Sequence, residues 1–148
     1  MKLPADVPWL NDAGALGLCA ALERAGFQAL FVGGCVRNAV LGVQASDIDI
    51  ATDATPDQVQ SVSKAAGFRT IPTGIDHGTL TVVIDGDPYE VTTFRNDVET
   101  DGRHAVVAFS TDVADDARRR DFTMNALYAR ADGTVVDPLG GLPDALAR

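Results

Sequence analysis

Ser46-Asp47-Ile48-Asp49-Ile50-Ala51-Thr52 (SDIDIAT, residues 46–52) decides the fold. Side chains alternate along a strand, so Asp47 and Asp49 share one face while Ile48 and Ile50 share the other. At a rise of about 3.3 Å per residue the two aspartates have Cα atoms about 6.5–7 Å apart. Carboxylates that close repel each other unless a cation lies between them. Hard oxygen ligands on a rigid strand suit Mg²⁺, which keeps several waters and takes substrate phosphates as further ligands. Two such ions about 3.5–4 Å apart can hold the attacking and leaving oxygens of an in-line phosphoryl displacement. Taken alone, an Asp-x-Asp strand is more often a half-exposed edge with its acids toward water. The flanking sequence changes that balance.

Upstream, LFVGGCVRN (residues 30–38) combines an apolar strand, two glycines and a helix start. Gly33 and Gly34 allow the backbone to approach a phosphate, and the free N–H groups of a helix N-terminus bind anions. Arg37, about one turn into that helix, has the planar fork that holds a triphosphate bidentately. Downstream, YEVTTF (residues 89–94) carries Glu90 on the face opposite Tyr89 and Val91. If this strand neighbours the aspartate strand, Glu90 completes a three-acid cluster and holds a metal or takes a proton from an attacking hydroxyl. Otherwise it is a solvent-facing strand acid, and the sequence leaves both open.

A fourth element is RRRDFTMNALY, residues 118–128. Its consecutive arginines turn by about 100° per residue around a helix axis and cannot all serve one ligand. Phe122, Met124 and Leu127 read as core. Arg120 and Asp121 are the candidates for triphosphate and ribose contacts, with Asn125 one turn beyond, and Arg118 and Arg119 read as a solvated patch. His77 and His104 are too few and too scattered for a metal site.

Outside these motifs the chain alternates helices and strands. Residues 10–25 read as a helix, with Leu18, Ala21, Leu22 and Ala25 on one face and Gly26 as a stop. Strands are expected at 28–32, 46–51, 68–71, 78–84 and 89–94, and a short helix at 35–41. Thr55 and Pro56 open a helix to about residue 66. Asp85, Gly86, Asp87 and Pro88 signal a hairpin. Residues 95–105 are polar and aperiodic and read as a mobile surface loop. Residues 112–126 read as helical, followed by a hairpin at 127–131 and 134–136 around Asp132-Gly133. The expected class is α+β, a small mixed or antiparallel sheet flanked by helices.

Together the four elements resemble the tRNA nucleotidyltransferase (CCA-adding) and bacterial poly(A) polymerase family, within the polymerase-β-like nucleotidyltransferases. The family's head pattern is GGxVRD, DxDxxT, RRRDFTINAL, then DP followed by GG and an acid. This chain reads GGCVRN at 33–38, DIDIAT at 47–52, RRRDFTMNAL at 118–127 and DPLGGLPD at 137–144, so the resemblance covers residues 28–146. It implies metal binding by Asp47 and Asp49, triphosphate contacts by Gly34, Arg37 and Arg120, and Glu90 as the third carboxylate. It also implies Mg²⁺ as cofactor, ATP and CTP as substrates and the tRNA 3′ end as acceptor. Asn38 stands where many members have Asp, which puts a charged role there in doubt. Met124 for Ile is a volume-conserving core swap. The family's helical neck, which reads the incoming base, would begin where the chain stops at Arg148. A single head domain over 1–148 is therefore expected to bind metal and triphosphate weakly, without choosing between CTP and ATP.

Composition narrows the field. Apolar residues at 46% and charged residues at 22% describe a globular chain. No apolar stretch approaches the roughly 18 residues of a membrane span, which sets the expectation of a cytoplasmic protein. A net charge of −9 disfavours a polynucleotide grip by this surface alone, because such surfaces are basic. Cys19 and Cys35 show no paired spacing, so neither a disulfide framework nor a zinc site is expected. GGxxR lacks the GxGxxG spacing of a dinucleotide-binding turn. The rival from another class is a nucleotide-binding module without turnover, and within the class a poly(A) polymerase head.

Overall fold

The computed structural model describes residue 3 and residues 7–41, 48–74, 78–99, 105–118 and 127–138. Strand β1 (Ala29–Val32) is buried at every position, and its alternating side chains supply two cores, one on each side of the sheet. Ala29 and Phe31 enter the larger core with Leu18 and Leu22 of α1 (Ala13–Arg24). Leu30 and Val32 enter a smaller one with Ala117 of α4 (Val113–Arg118). The sheet has seven strands in the order β3-β4-β5-β2-β1-β8-β9. These are β2 (Asp49–Thr52), β3 (Arg69–Gly74), β4 (Thr79–Ile84), β5 (Asp87–Thr93), β8 (Tyr128–Ala129) and β9 (Val135–Val136) around β1. β2 and β5 run parallel and the other described pairs antiparallel, giving the mixed sheet of an α+β domain.

Local chemistry accounts for most boundaries. The helix expected from residue 10 begins at Ala13, because Pro8–Asn11 forms a 3₁₀ turn and Asp12 caps α1 by accepting from the Ala15 N–H at 2.9 Å. Helix α3 (Pro56–Ala65) opens with a reciprocal capping box between Thr55 and Gln58. Asp85 and Gly86 turn between β4 and β5 with φ of 52° and 84°, the left-handed pair of a type I′ hairpin. Helix α2 (Gly34–Leu41) follows β1 directly.

One expectation is overturned. Where residues 95–105 were expected to be a mobile surface loop, β6 (Arg95–Glu99) pairs antiparallel with β7 (Ala105–Phe109), from Arg95 opposite Phe109 to Glu99 opposite Ala105. Val98 is the lone apolar residue of β6, so composition hides the strand. The ladder is a backbone property, and the composition of β7 (AVVAF) favours a strand where that of β6 does not. The sequence expectations for 42–47, 75–77, 100–104, 119–126 and 139–148 lie outside the described residues.

Both cysteines are buried filler. Burial pushes the Cys19 thiol up to about 12 and the Cys35 thiol up to about 11, so neither is an activated nucleophile. A thiol held protonated by the fold favours the native state below its ordinary value near 9. That contribution is lost as pH rises from there through 11–12. An aromatic disulfide reagent at pH 8 should therefore titrate no thiol until denaturant is added. Prompt reaction of either cysteine in the native protein would contradict this.

Candidate active site

The chemistry gathers on the sheet face that carries the smaller core. Ile50 points into the main core and is fully buried, so Asp49 and Ala51 face the other way. On β5, Tyr89 and Val91 enter the main core and Glu90 is exposed on the opposite face. The parallel register sets Asp49 directly opposite Glu90. Neighbouring strands lie about 4.8 Å apart, so two carboxylates leave one face of the sheet side by side. Past the strands' far end, the Phe94 N–H donates to the Thr52 carbonyl at 2.8 Å and Thr93 Oγ1 to the Ala54 carbonyl at 2.6 Å. These bonds fix the register that aligns the acids. Thr81 of β4 lies opposite Glu90 on its other side, completing a row of Asp49, Glu90 and Thr81 across three strands.

The row opens into a cleft of about 530 Å³ whose walls include Asp12, Asp49, Asp87 and Glu90. Four acidic residues thus line one cleft. Asp12 serves twice, capping α1 and accepting from the Tyr89 hydroxyl. Burial, and then the bond to Asp12, push the Tyr89 phenol well above its ordinary value, so it stays a donor. The close approach of that hydroxyl to α1 needs Gly14, where a Cβ would overlap the ring. Sequence patterning gave Tyr89 as core but offered no sign of its tie to Asp12. Asp12 lay inside the helix read over residues 10–25, and the sequence marked neither its capping role nor its partner.

The glycine turn lies at the same end of the sheet. Phe31 pairs with Ile50, so the chain reaches Gly33 two residues later, beside the end of β2 that begins with Asp49. Gly33 has a φ of 80°, a left-handed conformation that glycine adopts without strain. Its carbonyl accepts the Arg37 N–H at 3.0 Å and starts the first turn of α2. Its own N–H donates to the Leu127 carbonyl at 3.4 Å, tying the turn to the entrance of β8. Arg37 is half-buried, and its Nε donates to Asn38 Oδ1 at 3.4 Å. The Asn38 amide oxygen thus helps to orient the guanidinium.

Of the residues singled out in the sequence, the structure sets Asp49 beside Glu90, with Gly33 at the same end of the sheet and α2, which contains Gly34 and Arg37, starting there. Asp47, His77, Arg120, Asp121 and Asn125 lie outside the described residues. Among the described residues no three His, Cys, Asp or Glu side chains converge to hold a metal ion. The described contribution is the Asp49–Glu90 pair, whose oxygen donors and mutual repulsion fit a hard divalent cation. Arg118 is exposed and engages Asp115, whose carboxyl is held below its usual range by Ser110 and then by Arg118.

Comparison with known proteins shows the family of this domain. Residues 29–148 match the model of the poly A polymerase head domain. The chain belongs to that family. Among head-domain relatives, the CCA-adding enzyme of Levilactobacillus brevis is 47% identical over 125 residues, covering 83% of this chain and 30% of the relative. That of Latilactobacillus sakei is 43% identical over 149 residues, covering 99% and 36%. The solved CCA-adding enzyme of Bacillus stearothermophilus in complex with CTP superposes with a TM-score of 0.83 at 40% identity, over 95% of this chain and 32% of that one. A tRNA nucleotidyltransferase complexed with a primer tRNA and an incoming ATP analogue gives 0.62 at 25% identity, over 87% and 36%. The fold is the polymerase-β-like nucleotidyltransferase head. The chain spans about a third of the length of these relatives. Among the described residues no helix is long and apolar enough to cross a membrane.

Proposed function

We propose that this domain is the catalytic head of a template-independent nucleotidyltransferase that adds CMP and AMP to tRNA 3′ ends. The observation that carries it is the Asp49–Glu90 pair on parallel strands, at the end of the sheet where the Gly33 turn opens α2. The names of the relatives favour CCA addition over poly(A) synthesis.

In this reading Asp47 and Asp49 hold Mg²⁺, and Glu90 holds the ion nearest the acceptor or takes the proton from its 3′-oxygen. When bound, the ions neutralise the clustered carboxylates and act as Lewis acids on the α-phosphate. Gly33 and Gly34 admit the triphosphate to the backbone N–H groups at the start of α2, where the helix dipole favours anions. Arg37 and Arg120 balance its charge, and Asp121 and Asn125 contact the nucleotide. The acceptor's 3′-oxygen bonds to the α-phosphorus as pyrophosphate leaves. An in-line displacement needs attacker and leaving group on opposite sides. With the glycine turn on one side of Asp49, Glu90 and the cleft lie on the side left for the acceptor.

Calorimetric titration of CTP into the protein tests this. Binding in the range of about 10–500 μM is expected with Mg²⁺, and its loss on chelation. Affinity indifferent to the metal would remove the basis of the proposal. Given a tRNA lacking its terminal CCA, the full protein carrying this domain should add C and A and stop. A long run of A would indicate poly(A) synthesis instead.

A further inference from the structure

Tyr89 and Glu90 are consecutive on β5 and leave opposite faces of the sheet, the phenol toward the main core and the carboxylate away from it. The register with β2 runs only from Glu90 to Thr93, so Asp87, Pro88 and Tyr89 extend past the described start of β2. That overhang is paired with β4 on one side, and Pro88 within it has no N–H to give to a ladder. Glu90 sits at the junction, the first residue of β5 to meet β2. Any shift of the overhang carries Glu90 away from Asp49.

The hydroxyl of Tyr89 ties this end down. It donates to Asp12 Oδ2, the same oxygen that accepts the Ala15 N–H at 2.9 Å. One carboxylate oxygen thus joins the first turn of α1 to the overhang of β5. Helix α1 is in turn seated in the main core through Ala15, Leu18 and Leu22. Phenylalanine would fill the core as well and would need no partner, so what the hydroxyl adds is this tie. Gly14 keeps the approach open, since a Cβ there would meet the phenol. We infer that Tyr89, held by Asp12, is a positioning residue that keeps Glu90 beside Asp49, so that the pair offers one seat to a divalent ion. This rests on the proposed function, in which those carboxylates hold the metal.

The test is a titration of the protein with Mn²⁺ alone, a paramagnetic stand-in for Mg²⁺, with the free ion read by electron paramagnetic resonance and a thermal melt beside it. Tyr89→Phe keeps the ring and loses the tie. It should weaken Mn²⁺ binding about tenfold, the size of effect that follows when a group supporting a metal ligand is removed. In a Glu90→Gln background the same change should cost nothing more, since the tie acts through that carboxylate. Gly14→Ala should reproduce the loss although alanine is the better helix former, and it carries the test if Tyr89→Phe does not fold. Asp12→Asn still accepts from the phenol and should stay within about threefold of the wild type, because a charge that does not ligate the ion adds little. Unchanged or tighter binding in Tyr89→Phe, or an equal loss with and without Glu90, overturns the positioning role. A loss in Asp12→Asn as large as that in Asp49→Ala makes Asp12 a ligand and overturns it too. A wild type that binds no Mn²⁺, or an Asp49→Ala variant that binds it as well as the wild type, overturns the metal reading beneath, and the positioning role with it.

Discussion

Asp49→Ala should cut nucleotide incorporation by about a thousandfold or more while leaving the domain folded. The carboxylate stands at the start of β2, half-buried, and shares the cleft with Glu90 and two further acids. The core contribution of this strand comes from Ile50 and Ala51, both fully buried, which the substitution leaves in place. With those packed side chains untouched, the melting temperature should move by no more than a few degrees. Loss of chemistry with stability kept is the signature of a residue whose cost the fold carries for function. The measurement is incorporation of labelled CMP into end-labelled tRNA, with a thermal melt beside it. Incorporation near the wild-type rate would end the metal assignment.

Phe31→Ala is expected to be the most damaging single change to stability, at about 3–5 kcal/mol. Phe31 is fully buried at the centre of the sheet, between Ile50 on one neighbour and Ala129 on the other. Its ring lies 4.5 Å, centroid to centroid, from that of Trp9, which is itself 2% exposed. Truncation removes transfer energy, opens a cavity and strips Trp9 of its aromatic partner. A domain of this size has about 5–15 kcal/mol in hand, so the variant should lose about a fifth of it or more. The urea midpoint reports the change directly. A loss below about 1 kcal/mol would mean that the core relaxes into the space, contrary to the close packing described.

Elements with their own local signal were legible in advance. SDIDIAT alternates, and Ile50 is buried where alternation put it. The Thr55-Pro56 start of α3 and the Asp85-Gly86 turn each have a conformational cause within a few residues, and both stand where that cause puts them. Strand β6 was illegible because its cause is its partner: pairing with β7 outweighs a polar composition that argues for a loop. At the site, the strand, the Gly33 turn and the helix behind it were readable from LFVGGCVRN. The pairing of Asp49 with Glu90 was not, since periodicity assigns a face but no neighbour. The Asp12–Tyr89 bond escaped for the same reason. A paired acid looks like any surface acid until the residue that donates to it is known.

The parallel union of β2 with β5 has a consequence for how the protein comes to life on the ribosome. Strands β3 and β4 and helix α3 all intervene, so Asp49 has been synthesised long before Glu90 leaves the exit tunnel. Every antiparallel neighbour in the β3–β4–β5 meander can zip from a nearby turn, but this joint must wait for a long loop to close. A nascent chain therefore carries Asp49 well before Glu90 can stand beside it. The two acids meet in one late step, when the two halves of the sheet join.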